Sequence, residues 1–225
     1  MEIIPAILPK NFREIEEKIE LLVGLSKKVQ IDICDGKFVP SITWPYWKAD
    51  QRPDENFEAI LKEERGMPEW EDFDYEFDLM IDNPNEDDAR KWLSAGAERI
   101  ILHLHSSKDL DPVIGVLGGL VQIGIAINTT TDINDLKKYA DRIQYVQIMG
   151  IRKAGFQRQK FEMSTIDKVK EVKLAFPNLP VQVDGGVSLE TAALLKEAGV
   201  DRVVAGSAIF DSVDIVDTLE QFRSI

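Results

Sequence analysis

The 225-residue chain has one cysteine, Cys34, and two histidines, His103 and His105. One thiol cannot build a disulfide framework, and a cysteine-rich zinc site has no donors. Basic residues are outnumbered: 27 Lys plus Arg stand against 40 Asp plus Glu, a formal charge of −13. So acidic a chain lacks the cationic footprint that nucleic acids and anionic membranes require, and neither is expected as a partner. No apolar run approaches the ~20 residues of a membrane span, and Met1-Glu2-Ile3-Ile4-Pro5 sets no basic stretch ahead of an apolar one. A soluble, cytoplasmic protein is the expectation. Low-complexity tracts, linkers and clear sequence repeats are missing as well. What remains is a chain with 44% hydrophobic and 30% charged residues, enough for a sizeable core.

Short apolar runs alternate with amphipathic segments. Strands are predicted at Ile3–Leu8, Val29–Cys34, Tyr75–Ile81, Arg99–His103, Val121–Ile127, Gln144–Met149, Leu179–Val183 and Arg202–Ala205. Asn11 caps a helix whose one face carries Phe12, Ile15, Ile19 and Leu22, with Gly24 at its end. Further helices are expected over 55–65, 85–95 and 132–141, from a Ser164/Asp167 capping box to about Phe176, from a Ser188 cap to Ala198, and to an end near Phe222. Strand-then-helix alternation implies right-handed parallel crossovers. Eight such units in 225 residues fit a closed (β/α)8 barrel, a single domain over 1–225, better than an open doubly wound sheet. No glycine-rich dinucleotide fingerprint follows the first strand. Residues 41–74, with Trp44, Trp47 and Trp70, read as an enlarged excursion between strands two and three. Packing is the expected role of these tryptophans, with an interface in a homo-oligomer as the alternative.

Strands buried on both faces should read as unbroken Val, Ile and Leu. Several here do not. Gln30, Asp32 and Cys34 share one face of strand two; Glu76, Asp78 and Met80 share one face of strand three; His103 and His105 alternate with Leu102 and Leu104; strand five ends in Asn128; Gln182 and Asp184 share a face of strand seven. These residues gather late in their strands, at the mouth where barrel enzymes keep their chemistry. A single aspartate at a strand end is an ordinary turn former, which suits Asp35 before Gly36. Carboxylates from three strands, Asp32, Asp78 and Asp184, are different. Buried together they repel, and they need a metal, a proton or a substrate.

A second signal is anion binding. Arg152, Lys153, Arg158 and Lys160 crowd the loop after strand six, and Gly185-Gly186 and Gly206-Ser207 follow strands seven and eight. Glycines there let backbone N–H groups approach an anion, and these are the loops where barrels hold phosphate. Carboxylates beside a phosphate cradle suggest a small phosphorylated sugar and proton abstraction next to a carbonyl.

Ile4-Pro5-Ala6-Ile7-Leu8, Gln30-Ile31-Asp32-Ile33-Cys34-Asp35-Gly36-Lys37-Phe38-Val39-Pro40, Phe77-Asp78-Leu79-Met80-Ile81, Ala126-Ile127-Asn128, the stretch from Gly155 to Phe161, Val183-Asp184-Gly185-Gly186-Val187 and the stretch from Ala205 to Phe210 lie in order over nearly the whole chain. Together they resemble ribulose-phosphate 3-epimerases. The resemblance implies acid/base roles for Asp32 and Asp184, which would exchange a proton at C3 of a ketopentose 5-phosphate and interconvert its ribulose and xylulose forms. It implies phosphate contacts from Gly155, Phe156, Gln157, Arg158, Gly185, Gly186, Gly206 and Ser207. It also implies a divalent metal cation. Gln30 and Asp78 stand where that family has its metal-binding histidines, so the ligand set here would be Asp32, Asp184, Asp78 and Gln30. Such oxygen donors suit Mg²⁺ or Mn²⁺ rather than zinc or iron. Further departures are Ala6 for a substrate-contacting serine and Gln157-Arg158 for a glycine pair, where Arg158 would grip phosphate bidentately. The expected function is sugar-phosphate 3-epimerisation. The alternatives are another ketose-phosphate epimerase or lyase on the same barrel, or a non-catalytic sugar-phosphate binding protein.

Overall fold

A computed structural model describes residues 1–46 and 54–225, so Trp47 lies outside the described residues. Eight parallel strands, β1 (Glu2–Ile7), β2 (Lys28–Cys34), β3 (Asp74–Met80), β4 (Ala97–His103), β5 (Gln122–Ile127), β6 (Tyr145–Met149), β7 (Val181–Asp184) and β8 (Arg202–Ala205), pair in sequence order, and β8 closes on β1. The helices between them are α1 (Phe12–Glu20), α2 (Glu55–Leu61), α3 (Glu86–Ser94), α4 (Asp111–Leu117), α5 (Ile133–Lys137), α6 (Ser164–Ala175), α7 (Leu189–Glu197), α8 (Ser207–Phe210) and α9 (Ile215–Ser224). This is the expected single-domain (β/α)8 barrel. No helix among the described residues is long and apolar enough to cross a membrane.

Local chemistry accounts for most helix starts. The side chains of Asn11 and Asp54 accept from backbone N–H groups of α1 and α2, and Asn85 and Ser188 form capping boxes at α3 and α7. Three expectations need correction, and two helices had none. Ser164 is the first helical residue of α6, not its cap; Met163 precedes it with helical dihedrals, so no side chain caps that end. The helix expected over 132–141 is the short α5 followed by a 3₁₀ turn, Ala140–Arg142. α4, opened by Asp111-Pro112, and the four-residue α8 carry too little periodic pattern to be read in advance. β7 starts two residues later than expected, at Val181.

The outward faces of the strands and the inner faces of the helices form one apolar shell, in which Ile31, Phe77, Ile100, Ile125, Val146 and Val183 meet Ile15, Trp92, Val113 and Leu195. The barrel interior is mixed. Small apolar clusters (Ile4, Ala6 and Val204; Ile101, Ala126, Tyr145 and Met149) share it with Gln30, Glu76, Asp78, Gln147 and Gln182, all buried. Gly124 is required by its neighbour: a Cβ there would sit 2.5 Å from the Tyr145 ring.

The excursion between β2 and β3 is tied back at its root. Thr43 Oγ1 accepts from Cys34 N and donates to Asp32 O, both at 2.8 Å. Buried Asp35 accepts from the N–H groups of Lys37, Phe38 and Asp82. Trp44 packs against Phe12, Phe57 and Trp92 at ring-centroid distances of 5.4, 5.3 and 6.3 Å. Trp44 thus has the packing role, whereas Trp70 is 64% exposed.

Candidate active site

Register and pleat bring the acidic residues together. Asp32 lies beside Asp78 in the β2–β3 ladder, and both face inward. Asp184, the last residue of β7, reaches the same mouth from across the barrel. Each of the three offers a carboxylate oxygen within 4.8 Å of the others. Burial first, then the neighbouring carboxylates of Asp78 and Glu76, push Asp184 up to about 8. Burial, Asp184 and Asp78 likewise hold Asp32 well above the usual carboxylate range, while a Gln30 hydrogen bond pulls each of them down. Such groups retain a proton or recruit a cation. Three carboxylate oxygens this close, in a pocket that penalises unpaired charge, offer a ligand set for a divalent cation.

The neighbouring side chains act as donors. Gln30 Nε2 lies 2.8 Å from Asp32 Oδ1 and 3.4 Å from Asp184 Oδ2, so Gln30 turns its N–H groups, not its carbonyl oxygen, toward the carboxylates. Both oxygens of Asp78 are engaged, one by His103 Nε2 at 2.9 Å and the other by Gln147 Nε2 at 3.0 Å. His103 also packs against Phe38. His105 lies beyond the end of β4, exposed, with Nε2 3.0 Å from Thr131 Oγ1, so the two histidines do not share the mouth. Deeper in the barrel, Glu76 accepts from Gln182 at 2.7 Å and from the Tyr145 hydroxyl at 2.8 Å, and Arg99 stands 3.7 Å away. The Arg202 guanidinium lies over the Tyr145 ring.

One cleft joins these carboxylates to the glycine turns. Asp32 and Asp184 line it together with Gly155, Phe156, Gln157, Arg158, Gly185, Gly186, Gly206 and Ser207. The glycines are sterically required. Gly186 has φ +68° and its missing Cβ would lie 2.8 Å from the Phe161 backbone; Gly185 has φ +100° and would press on Ile151 at 2.7 Å. At Gly206 a Cβ would meet Gln157 Nε2 at 2.6 Å, so the Gln157 amide sits directly against the β8 turn. Among the described residues, the N–H groups of Gly186, Ser207 and Ala208 make no backbone hydrogen bond, which leaves them available to an anion.

The basic loop is arranged differently from the expectation. Arg158, itself at φ +60°, makes its bidentate contact with Asp211, just beyond α8, at 2.8 and 2.9 Å. Arg152 pairs with Glu162 at 2.9 Å. Lys153 and Lys160 are exposed. With Arg158 and Arg152 paired to carboxylates, the glycine turns present backbone N–H groups and the Gln157 amide to the cleft. Gln147 and Asp211 escape a reading of the sequence. Gln147 announces itself only as one polar residue on an inward face of the five-residue β6, and Asp211 lies 53 residues from its partner with no spacing to betray it.

Comparison with known proteins shows the family. The model of the ribulose-phosphate 3 epimerase family matches residues 2–210. The chain is 29% identical over 230 residues to a ribulose-phosphate 3-epimerase of Bacillus subtilis strain 168, covering 99% of this chain and 98% of that one. It is 26% identical over 227 residues to one of Aquifex aeolicus strain VF5, covering 98% and 95%. Among solved structures, 3-hexulose-6-phosphate synthase from Salmonella typhimurium superimposes with a TM-score of 0.71 at 13% identity, covering 100% of this chain and 97% of that one, a likeness of fold. The protein is an enzyme of the isomerase class, and the chain belongs to the ribulose-phosphate 3-epimerase family.

Proposed function

We propose that this enzyme epimerises a small ketose phosphate at C3, interconverting D-ribulose 5-phosphate and D-xylulose 5-phosphate, with Asp32 and Asp184 as the acid/base pair. The observation that carries this reading is a single cleft lined by both aspartates and by the Gly185-Gly186 and Gly206-Ser207 turns. A substrate whose phosphoryl group rests on the free N–H groups of Gly186, Ser207 and Ala208 directs its carbon chain toward the carboxylates. One aspartate, ionised, removes the C3 proton. The electron pair moves toward the adjacent carbonyl to give an enediolate. The other aspartate, protonated, returns a proton to the opposite face of C3. Burial and neighbouring carboxylates raise the proton affinity of both Asp32 and Asp184, which disfavours ionising the pair together and supports a site where protons are held and passed on. Asp32, Asp78 and Asp184 would hold a divalent cation, which when bound supplies positive charge against the developing oxyanion.

The test is exchange of the C3 proton of D-ribulose 5-phosphate with deuterated solvent, with Mg²⁺ or Mn²⁺ supplied. Exchange and formation of the epimer are expected in the native protein. Asp32→Asn and Asp184→Asn should each lower the rate by about 10²–10⁴-fold with the fold intact. Native enzyme that exchanges nothing with either metal, or variants as active as the native chain, would overturn the reading.

A further inference from the structure

Beneath the three carboxylates lie three glutamines, Gln30, Gln147 and Gln182, none with any exposed surface. Gln30 donates to Asp32 and faces Asp184; Gln147 donates to Asp78. Gln182 Nε2 in turn reaches Gln30 Oε1 at 3.3 Å and Gln147 Oε1 at 2.8 Å. The surroundings dictate the amide orientations. Turning Gln30 or Gln147 over would set an oxygen against a carboxylate and an N–H against the N–H of Gln182. Gln182 Nε2 also donates to Glu76 Oε1 at 2.7 Å, so its two hydrogens serve Glu76 and Gln147 most closely, while the donors of Gln30 and Gln147 point outward to the mouth carboxylates. Aligned hydrogen bonds in a low-dielectric interior reinforce one another. Branched apolar side chains ordinarily fill such an interior; here the amides replace them and supply donors to buried carboxylates.

We propose that Gln30 is a positioning residue: its one amide ties Asp32 to Asp184 and fixes how the two carboxyl groups present themselves to opposite faces of the substrate carbon. Gln147 gives Asp78 the matching support. This inference rests on the proton-transfer reading above. It separates orientation from binding, because none of the three glutamines lines the cleft that takes the substrate.

The experiment uses the full-length enzyme with Mg²⁺ or Mn²⁺ and D-ribulose 5-phosphate in deuterated water. It measures kcat, KM and the partition of deuterium between recovered substrate and epimer. Gln30→Met keeps length and volume but loses the amide. It should lower kcat by about 10²-fold with KM nearly unchanged, the scale of a small misplacement of reacting groups, and shift the deuterium partition. Gln182→Met should move both quantities in the same direction by less. A purely structural role would reduce only the amount of active enzyme and leave partition and KM as in the native protein. Folded variants with native partition and native kcat overturn the proposal. If Gln30→Met does not fold, Gln182→Met decides; if neither folds, the layer is structural and the proposal falls. Native enzyme that exchanges no deuterium overturns the reaction reading itself, and the proposal with it.

Discussion

Asp184 enters the folded state at a cost that depends on pH. Its proton affinity is raised to about 8 from an ordinary 3.8, with burial as the main cause. The folded state therefore binds this proton more tightly than the unfolded state. Between the two values the native protein holds more protons, so stability falls as pH rises. The contribution is complete below about pH 4 and is lost as pH climbs through about 8. Asp32, raised for the same reason, adds a slope of the same sign. Chelator-treated protein should thus show a lower Tm at pH 8 than at pH 5, and Asp184→Asn should flatten the profile. A Tm that climbs over this window would mean that the carboxylates are already paired and ionised. At this scale the sequence was informative where a residue broke an apolar rule. Asp32, Asp78 and Asp184 stood out because a barrel strand should not carry them. Gln30 also stood out, but its role did not, because whether an amide presents its oxygen or its N–H groups depends on partners from other strands.

Among the elements, the loop between β6 and α6 forms one wall of the cleft. Gly155 folds it against Val39 and Cys34, Gln157 meets the Gly206 turn, and Arg158 holds Asp211 by both oxygens. The ion pair is largely exposed, 69% at Arg158 and 46% at Asp211, so its worth to global stability is small. Its worth lies in the placement of Gln157. Asp211→Ala and Arg158→Ala should each raise KM for the phosphorylated substrate by roughly tenfold, the size of a lost positioning contact of about 1–1.5 kcal/mol, with kcat and Tm little changed. Steady-state kinetics beside thermal denaturation checks this. A fall in kcat at constant KM would place the pair in the chemistry instead. The loop also marks where sequence reasoning stops. Caps at Asn11 and Ser188 were legible because a capping side chain and the N–H it serves lie within three residues. The same rule misplaced the start of α6, where the chain enters already in helical dihedrals. The partner of Arg158 is set by the closure of the whole barrel, and no local pattern encodes it.

Across the whole molecule, an excess of acidic charge surrounds a barrel whose interior adds four buried carboxylates, Asp32, Glu76, Asp78 and Asp184. Among the described residues, only Glu76 of these four has cationic company, from Arg99 and Arg202. The other three share the mouth, and the fold accommodates them through donors from Gln30, Gln147 and His103, through protons, or through a cation. A ligand that binds only the folded state stabilises it by RT ln(1 + [L]/Kd), about 2.7 kcal/mol at a hundredfold excess over Kd. For a chain of this size that corresponds to a rise in Tm of roughly 5–10 °C. Saturating Mg²⁺ or Mn²⁺ at pH 8 should produce such a rise, and chelator should reverse it. At pH 5 protons compete for the same oxygens, so the rise should shrink. Asp78→Asn removes one charged donor while keeping both Asp32 and Asp184 in place, and should abolish most of it. An equal rise in that variant would place the cation elsewhere on the acidic surface. No rise at pH 8 with either ion would mean that hydrogen bonds and protons alone stabilise the three carboxylates.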